Sequence, residues 1–263
     1  MAHKTRINGT YYEISGGKTL VNGTAYSIDK GKTLAGSTVY DVGFGTPISS
    51  LKVGDPLYFN VNGVRTEFVI VQQGTPTDMS GNPLSNMYYN CDGAWLMMKS
   101  IAKTDQLYTN NVNNYSGSYL HTYLSGEFFN SLPLDVRNAI EKQKAKIPYV
   151  VTNGKGSVSS GQSGLSAKCF LLSAREVGFM NAPDGSELHN DGVVLEYFTT
   201  DATSKRQLSV NWWTRTPAKG WTNMMIMSYA NGSVGVINSN LTAGIRPAFI
   251  LPSDFDVTNY LNP

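Results

Sequence analysis

Few side chains in this sequence have the types and spacing that chemistry requires. The three histidines, His3, His121 and His189, are scattered, and no pair has the spacing of metal ligands. Cys91 and Cys169 show no metal-type spacing, and two cysteines cannot make a disulfide framework. They read as two free thiols, with a single long-range bridge as the alternative. Gly17-Lys18-Thr19 and Gly31-Lys32-Thr33 invite a phosphate-loop reading, but that motif needs a glycine five residues before the GK glycine. Those positions are Tyr12 and Tyr26, so the lysines belong to turns. No G-x-S-x-G elbow occurs, and the carboxylates are too dispersed for an acid–base pair. Ala182-Pro-Asp-Gly-Ser-Glu187 could offer oxygens to calcium, though a plain turn explains it as well. The expectation is a non-enzyme with no cofactor and no metal.

What remains is the chemistry of contact. Three of the four tryptophans fall in NWWTRTPAKGW, residues 211–221. Downstream come Ser228-Tyr-Ala-Asn-Gly and Asn238-Ser-Asn240, rich in the residues that dominate adaptable binding surfaces. An ordinary twisted hairpin with polar turns is the competing explanation. Phe249-Ile-Leu is too apolar to face water.

The elements that must position these residues follow from composition and pattern. Of 263 residues, 41% are hydrophobic, so a packed core is expected. Only 15% are charged, with Gly, Asn, Ser, Thr and Tyr filling the gap, which suits a β-rich and loop-rich protein. A net charge of +2 gives no electrostatic case for nucleic acid. Lys142, Lys144 and Lys146 read as a solvated helix end. The start lacks the apolar core of a secretory signal, and no run reaches transmembrane length, so no membrane insertion is expected.

The first 42 residues repeat with a period of 14: Asn8-Gly-Thr-Tyr-Tyr-Glu-Ile14 recurs at 22–28 and, more loosely, at 36–42. Each unit holds two strand-like pieces joined by Asn-Gly or Gly-rich turns. A unit this short cannot bury a core alone, so residues 1–45 are expected to be an anchor that orders by docking or self-association. A linker is expected over 43–56, then a hairpin over 57–72 turned at Asn62-Gly63 with Phe68–Val71 buried. Residues 75–93 read as loop and Ala94–Ile101 as a short strand. Tyr119, Leu120, Tyr123, Leu124 and Phe128 have helical spacing, as do Leu132, Val136 and Ile140 after Pro133. Residues 152–166 read as a flexible loop. Phe170-Leu-Leu reads as a buried strand, and Ser173-Ala-Arg-Glu176 as a capping box opening a short helix. Short strands alternate with Gly/Asn turns from 211 onward.

Several blocks carry a resemblance. Residues 113–140 are similar to a signature Y-S-x-S-x-L-x-x-x-L-N-x-x-F, with Gly117 and Ser125 as departures. CFLLSAREVGF (169–179) is similar to F-L-L-S-x-x-E, and WWTRTP (212–217) to W-W-L-R-S-P. NGSVGV (231–236) and GIRPAFIL (244–251) resemble its D-G-x-V and G-V-R-P-A-L-x-L ending. Together they resemble a domain family of Gram-positive bacteria and their phages with a C-type lectin-like fold, related to formylglycine-generating enzyme and to retroelement-diversified binding proteins. The repeat resembles segments of phage tail-associated proteins.

The resemblance implies an α+β fold: a β-repeat anchor over 1–45, then a C-type lectin-like ligand-binding domain over 51–263 with short twisted strands and two helices. Trp212, Trp213, Arg215 and Arg246 would be framework, the tryptophans packed on the 244–251 strand and the arginines bonded to backbone oxygens. Residues 218–243 would face a ligand, with Trp221, Asn223, Tyr229, Asn231, Asn238 and Asn240 as the contact residues. Formylglycine chemistry does not carry over, since both cysteines precede the WW block. If the surface is diversified by adenine mutagenesis, Asn-derived positions are those such as Asn223, Tyr229, Asn238 and Asn240, which should then share one exposed face. The implied function is a virion-associated receptor-binding or adhesin-like protein, made in the host cytoplasm and carried on a tail or capsid surface. Its ligand would be a host-surface glycan or protein. Other virion proteins would be held through residues 1–45, with homo-oligomerisation expected. The alternatives are a purely structural virion component, or an enzyme acting on cell-wall sugar.

Overall fold

A computed structural model describes residues 45–109 and 112–262, together with six backbone segments within the first 44 residues. The chain divides into two compact units, Met1–Thr46 and Pro47–Pro263.

The first unit holds three antiparallel hairpins: β1 (His3–Ile7) with β2 (Thr10–Ile14), β3 (Lys18–Val21) with β4 (Thr24–Ser27), and β5 (Lys30–Ala35) with β6 (Thr38–Gly43). The repeat is visible in the register: Thr5 faces Tyr12, Thr19 faces Tyr26 and Thr33 faces Tyr40. The Asn8-Gly9, Asn22-Gly23 and Gly36-Ser37 dipeptides, read from the sequence as turns, lie outside the described residues.

The second unit is mixed α+β, with more sheet than helix. One sheet has the order β19-β9-β8-β7, from β7 (Pro56–Val61), β8 (Val64–Gln73), β9 (Ala94–Met98) and β19 (Ala248–Leu251). The other has the order β10-β18-β15-β16-β17, from β10 (Lys103–Leu107), β15 (Trp212–Pro217), β16 (Met224–Ser228), β17 (Val234–Asn238) and β18 (Thr242–Ile245). Two short pairs complete the strands: β11 (Lys146–Ile147) with β14 (Leu165–Ser166), and β12 (Tyr149–Val150) with β13 (Val158–Ser159). Asn62 and Gly63 both take positive φ, as a two-residue turn joining β7 to β8 demands.

Two apolar clusters form around these sheets. Phe68 and Ile70 enter one, and Val69 and Val71 the other. Leu96 and Met98 divide from Trp95 and Met97 in the same way, as do Phe249 and Leu251 from Ala248 and Ile250. A strand buried on both faces needs a continuous apolar run, which explains Phe249-Ile-Leu.

Helices cover the first cluster. In α1 (Tyr119–Tyr123), Ser118 caps the start, its Oγ accepting from His121 N at 3.0 Å. The chain then widens into a π-helical turn over Leu124–Phe128 and returns to α2 (Phe129–Ser131). Leu120, Leu124 and Phe128 are buried as their spacing requires, but Tyr119 is exposed. α3 (Leu134–Gln143) starts after Pro133 and buries Val136 and Ile140, and Leu132 is buried just before it. α4 (Ala202–Arg206) has no counterpart in the sequence reading.

Several expectations need correction. The stretch from Pro47 is not linker: Ile48 is fully buried, and its N–H donates to Phe255 O at 2.8 Å. Residues 152–166 are not a free loop, since they supply β13 and β14 and are bonded into the domain. Phe170–Leu172 is buried but pairs only through an isolated bridge from Phe170 to Ala248. The capping box forms, but its helix is a single turn ended by Gly178 at φ +83°.

Candidate functional site

The site begins with strand alternation. Successive residues of β15 point to opposite faces, so Trp212 enters one apolar cluster and Trp213 the other. Adjacent tryptophans are thus two separate anchors. Trp212 Nε1 donates to Arg206 O at 2.9 Å, and Trp213 Nε1 donates to Gln106 O at 2.8 Å. Both rings are buried with their polar edge satisfied. Trp212 also meets the end of β18 at Gly244, and Arg246 lies over its ring at 5.2 Å. Arg246 donates to the carbonyls of Met98 and Lys205, each at 3.0 Å, and burial pulls its pKa down to about 10.

Arg215 is wholly buried. It donates to the carbonyls of Pro148, Leu171 and Asp191 at 2.9–3.0 Å and forms a two-pronged pair with Glu176, both contacts at 2.5 Å. Burial works against its charge, but Glu176 beside it more than offsets this and raises its pKa. Glu176 is the capping-box acid. One carboxylate oxygen accepts from Ser173 N at 2.8 Å, and Tyr88 donates to the other at 3.2 Å. Glu176 thus serves the capping box and the framework at once. Asp191 completes the group. Thr216 donates to its Oδ2 at 2.8 Å, Oδ1 has no partner, and burial raises its pKa to about 6. All four framework residues read from the sequence are buried and hydrogen-bonded as expected, and Glu176, Asp191 and Thr216 join them. The S-x-x-E spacing and the F-L-L-S-x-x-E resemblance were the signals for Glu176, Thr216 was marked only by its place in the WWTRTP block, and Asp191 carried no signal.

Beyond β15 the chemistry changes. Trp221 is 58% exposed, on the connection between β15 and β16. Its backbone is fixed although its ring is not buried. Asn113, itself buried, donates through Nδ2 to Trp221 O at 2.9 Å and Met224 O at 2.8 Å, and its Oδ1 accepts from Gly154 N at 3.0 Å. Gly154 allows this approach, because a Cβ there would lie 2.1 Å from Ala218 O. Trp221 borders a cavity of about 160 Å³ walled by Pro183, Ala218, Met224 and Val236, with Asp184, Ser186 and Lys219 at its polar edge. The Ala182–Glu187 segment thus serves as one wall of this cavity. It is a turn, with Asp184 Oδ1 accepting from Ser186 N at 3.0 Å.

The six contact residues read from the sequence do not form one surface. None is buried, but the hairpin separates them. Asn223, Asn238 and Asn240 lie with Trp221 at the end where Met224 pairs with Asn238. Tyr229 and Asn231 occupy the opposite end, roughly 20 Å away along β16. The Tyr229 ring rests on Gly235, where a Cβ would meet it at 2.6 Å. Gly235 pairs with Met227, so this is the other face of the sheet from Met224 and Val236. The shared exposed face required of Asn223, Tyr229, Asn238 and Asn240 is therefore absent. Two asparagines also serve their own turns. Asn231 Oδ1 accepts from Ser233 Oγ at 2.7 Å, and Asn238 Oδ1 from Asn240 N at 3.2 Å. Ser228 and Ser239 are fully buried.

Both cysteines are free and buried, one in each apolar cluster, and burial raises Cys91 to about 12. Among the described residues no group of His, Cys, Asp and Glu could hold a metal, and no helix is long and apolar enough to cross a membrane.

The blocks that build this framework and its cavity fall within a stretch that defines a family. Residues 92–253 match the model of a domain of unknown function, DUF6273, and the chain belongs to that family. No curated protein and no solved structure gives a significant match.

Proposed function

We propose that this protein is a virion-associated receptor-binding or adhesin-like protein. Its 47–263 unit, of C-type lectin-like fold, would take a host-surface glycan at the Trp221 end of the β15–β17 sheet. The observation that carries this reading is the contrast at Trp221: an exposed indole on a backbone pinned by Asn113, beside a small cavity with a polar edge. An indole on a fixed backbone has only two side-chain torsions to lose when a sugar stacks on it, and Asp184, Ser186 and Lys219 offer acceptors and donors to hydroxyls. Asn238 lies on the same sheet face, because it pairs with Met224. The 14-residue repeat supports a role for residues 1–45 in joining the protein to other virion components, since short hairpin units gain a core from neighbours.

Glycan-array binding of the full chain tests the proposal. A restricted set of bacterial surface glycans should be retained and then lost, by tenfold or more, in Trp221→Ala, with the melting temperature unchanged. No binding to host cells or to their isolated surface polymers, in a protein that still incorporates into particles, would reject it in favour of a purely structural virion component.

A further inference from the structure

A second and larger cleft, of about 560 Å³, opens between the C-terminal end of α3, strands β11 and β14, and the junction of α1 with the π-helical turn. Its apolar floor is Ile140, Ala145 and Ala167. Its charged wall carries Lys144, Lys146 and Lys168 against a single acid, Glu141. Lys168 pairs with Glu141 at 2.7 Å, so two positive charges remain unopposed within the wall. Lys146 donates to Gln162 O at 2.5 Å, and Lys144 has no ion-pair partner among the described residues.

Two orphan polar atoms lie buried just behind the same wall. Only five buried side-chain nitrogen or oxygen atoms of the described residues lack a hydrogen-bond partner, and two of them, His121 Nδ1 and Ser125 Oγ, belong to residues lining this cleft. Buried polar groups without partners are costly and rare, and a ligand is one explanation for keeping them. Ser125 sits in the π-helical turn, a distortion frequent at functional sites. Burial lowers the pKa of His121, which keeps the ring neutral and able to accept as well as donate.

We propose that this cleft binds a phosphorylated saccharide or polyol, with Lys144 and Lys146 taking the phosphate and Ser125, His121 and Glu141 meeting hydroxyl groups. Lysine ammonium groups bind phosphate as point charges, and the one acid of the cleft, Glu141, is already paired with Lys168. The volume lies in the range of small-molecule sites and exceeds what a bare phosphate would fill. Ser125 Oγ is buried, so its hydroxyl must rotate towards the cleft to meet the ligand. The site is separate from the Trp221 cavity and shares no lining residue with it.

Calorimetric titration of the full chain with glucose 1-phosphate, a glycerol phosphate oligomer, glucose and inorganic phosphate tests the assignment. At least one of the first two should bind ten times more tightly than both glucose and inorganic phosphate. Binding of the monoester alone marks a free sugar phosphate as the ligand, and binding of the oligomer marks a phosphodiester polymer. Lys144→Asn should weaken it at least fivefold. Asparagine tolerates the left-handed backbone at this position (φ 52°) and removes only the charge. Ser125→Ala should weaken it with the melting temperature maintained, and Trp221→Ala should leave it unchanged, which separates this site from the glycan surface. Binding of none of the probes, equal affinity for inorganic phosphate, or indifference to both Lys144→Asn and Ser125→Ala would overturn the proposal.

Discussion

Trp213 and Trp221 lie eight residues apart and have opposite fates. Trp213 is fully buried, edge-on to Tyr108 at 5.3 Å and bonded through its indole nitrogen. Trp221 exposes 58% of its surface. The difference is made by the elements that carry them. β15 lies third in its five-stranded sheet, with neighbours on both sides, so everything it carries is buried, Thr214, Arg215 and Thr216 included. The connection after Pro217 has left the sheet, and at Trp221 it is held through the backbone, by Asn113, and not through the ring. Residue type therefore says little about role here, and whether backbone or side chain does the anchoring says much more.

The sharpest way to break this contrast is Trp213→Ala. Removing a large buried ring from a packed cluster should cost roughly 3–5 kcal/mol, because lost transfer energy and the new cavity add. The same change at Trp221 should stay within about 0.5 kcal/mol. Chemical denaturation of the two variants measures both, and equal losses would mean that the Trp221 ring is also framework.

The division between the two regions was partly legible in the sequence. Apolar runs with turn residues between them located β7, β8, β9 and β19, and the WW pair pointed to framework. Arg215 and Arg246 were legible only through the resemblance of the WWTRTP and GIRPAFIL blocks, and both donate to carbonyl oxygens. The pairing partners of Arg215 were not. Glu176 is 39 residues away and Asp191 is 24, and no periodicity links them to β15. The contact face failed for a related reason. The reading set six residues on one surface, but register decides face, and a strand of five residues also separates its ends. The basic cleft was missed because Lys144 comes from a helix end, Lys146 from a short strand and Lys168 from the chain after β14, and the sequence shows the first two only as part of a solvated run.

Asp191→Asn sharpens the framework side through pH. The carboxyl titrates at about 6 when folded, raised by burial from the usual 3.8. The folded state therefore takes up this proton before the unfolded chain does. Wild type should gain stability relative to the variant as pH falls through 6 towards 4, by up to about 3 kcal/mol, and the difference should level off below that. Denaturation midpoints of both proteins at pH 7, 5.5 and 4 measure it. A difference that stays flat across that range would mean that Asp191 is screened and is no part of the buried network.

An intermediate effect is expected at Tyr229, between the two extremes. Its exposure of 38% suggests a contact residue, yet its ring rests on Gly235 and its backbone closes the β16–β17 turn, with Tyr229 N donating to Ser233 O at 2.9 Å. Tyr229→Ala keeps that backbone bond and loses only the packing of one ring face, so about 1 kcal/mol is expected, clearly below Trp213→Ala and above Trp221→Ala. Gly235→Ala is the matching test from the other side. A methyl there needs the space that the ring fills, so the ring must swing outward, and the stability lost should be similar. Combining the two changes separates packing from strand effects. If ring and glycine act as one unit, the double variant should lose little more than either single one, because alanine at 235 has no ring left to displace. Full additivity would mean that the ring does not pack there, and Tyr229 would return to the set of free contact residues.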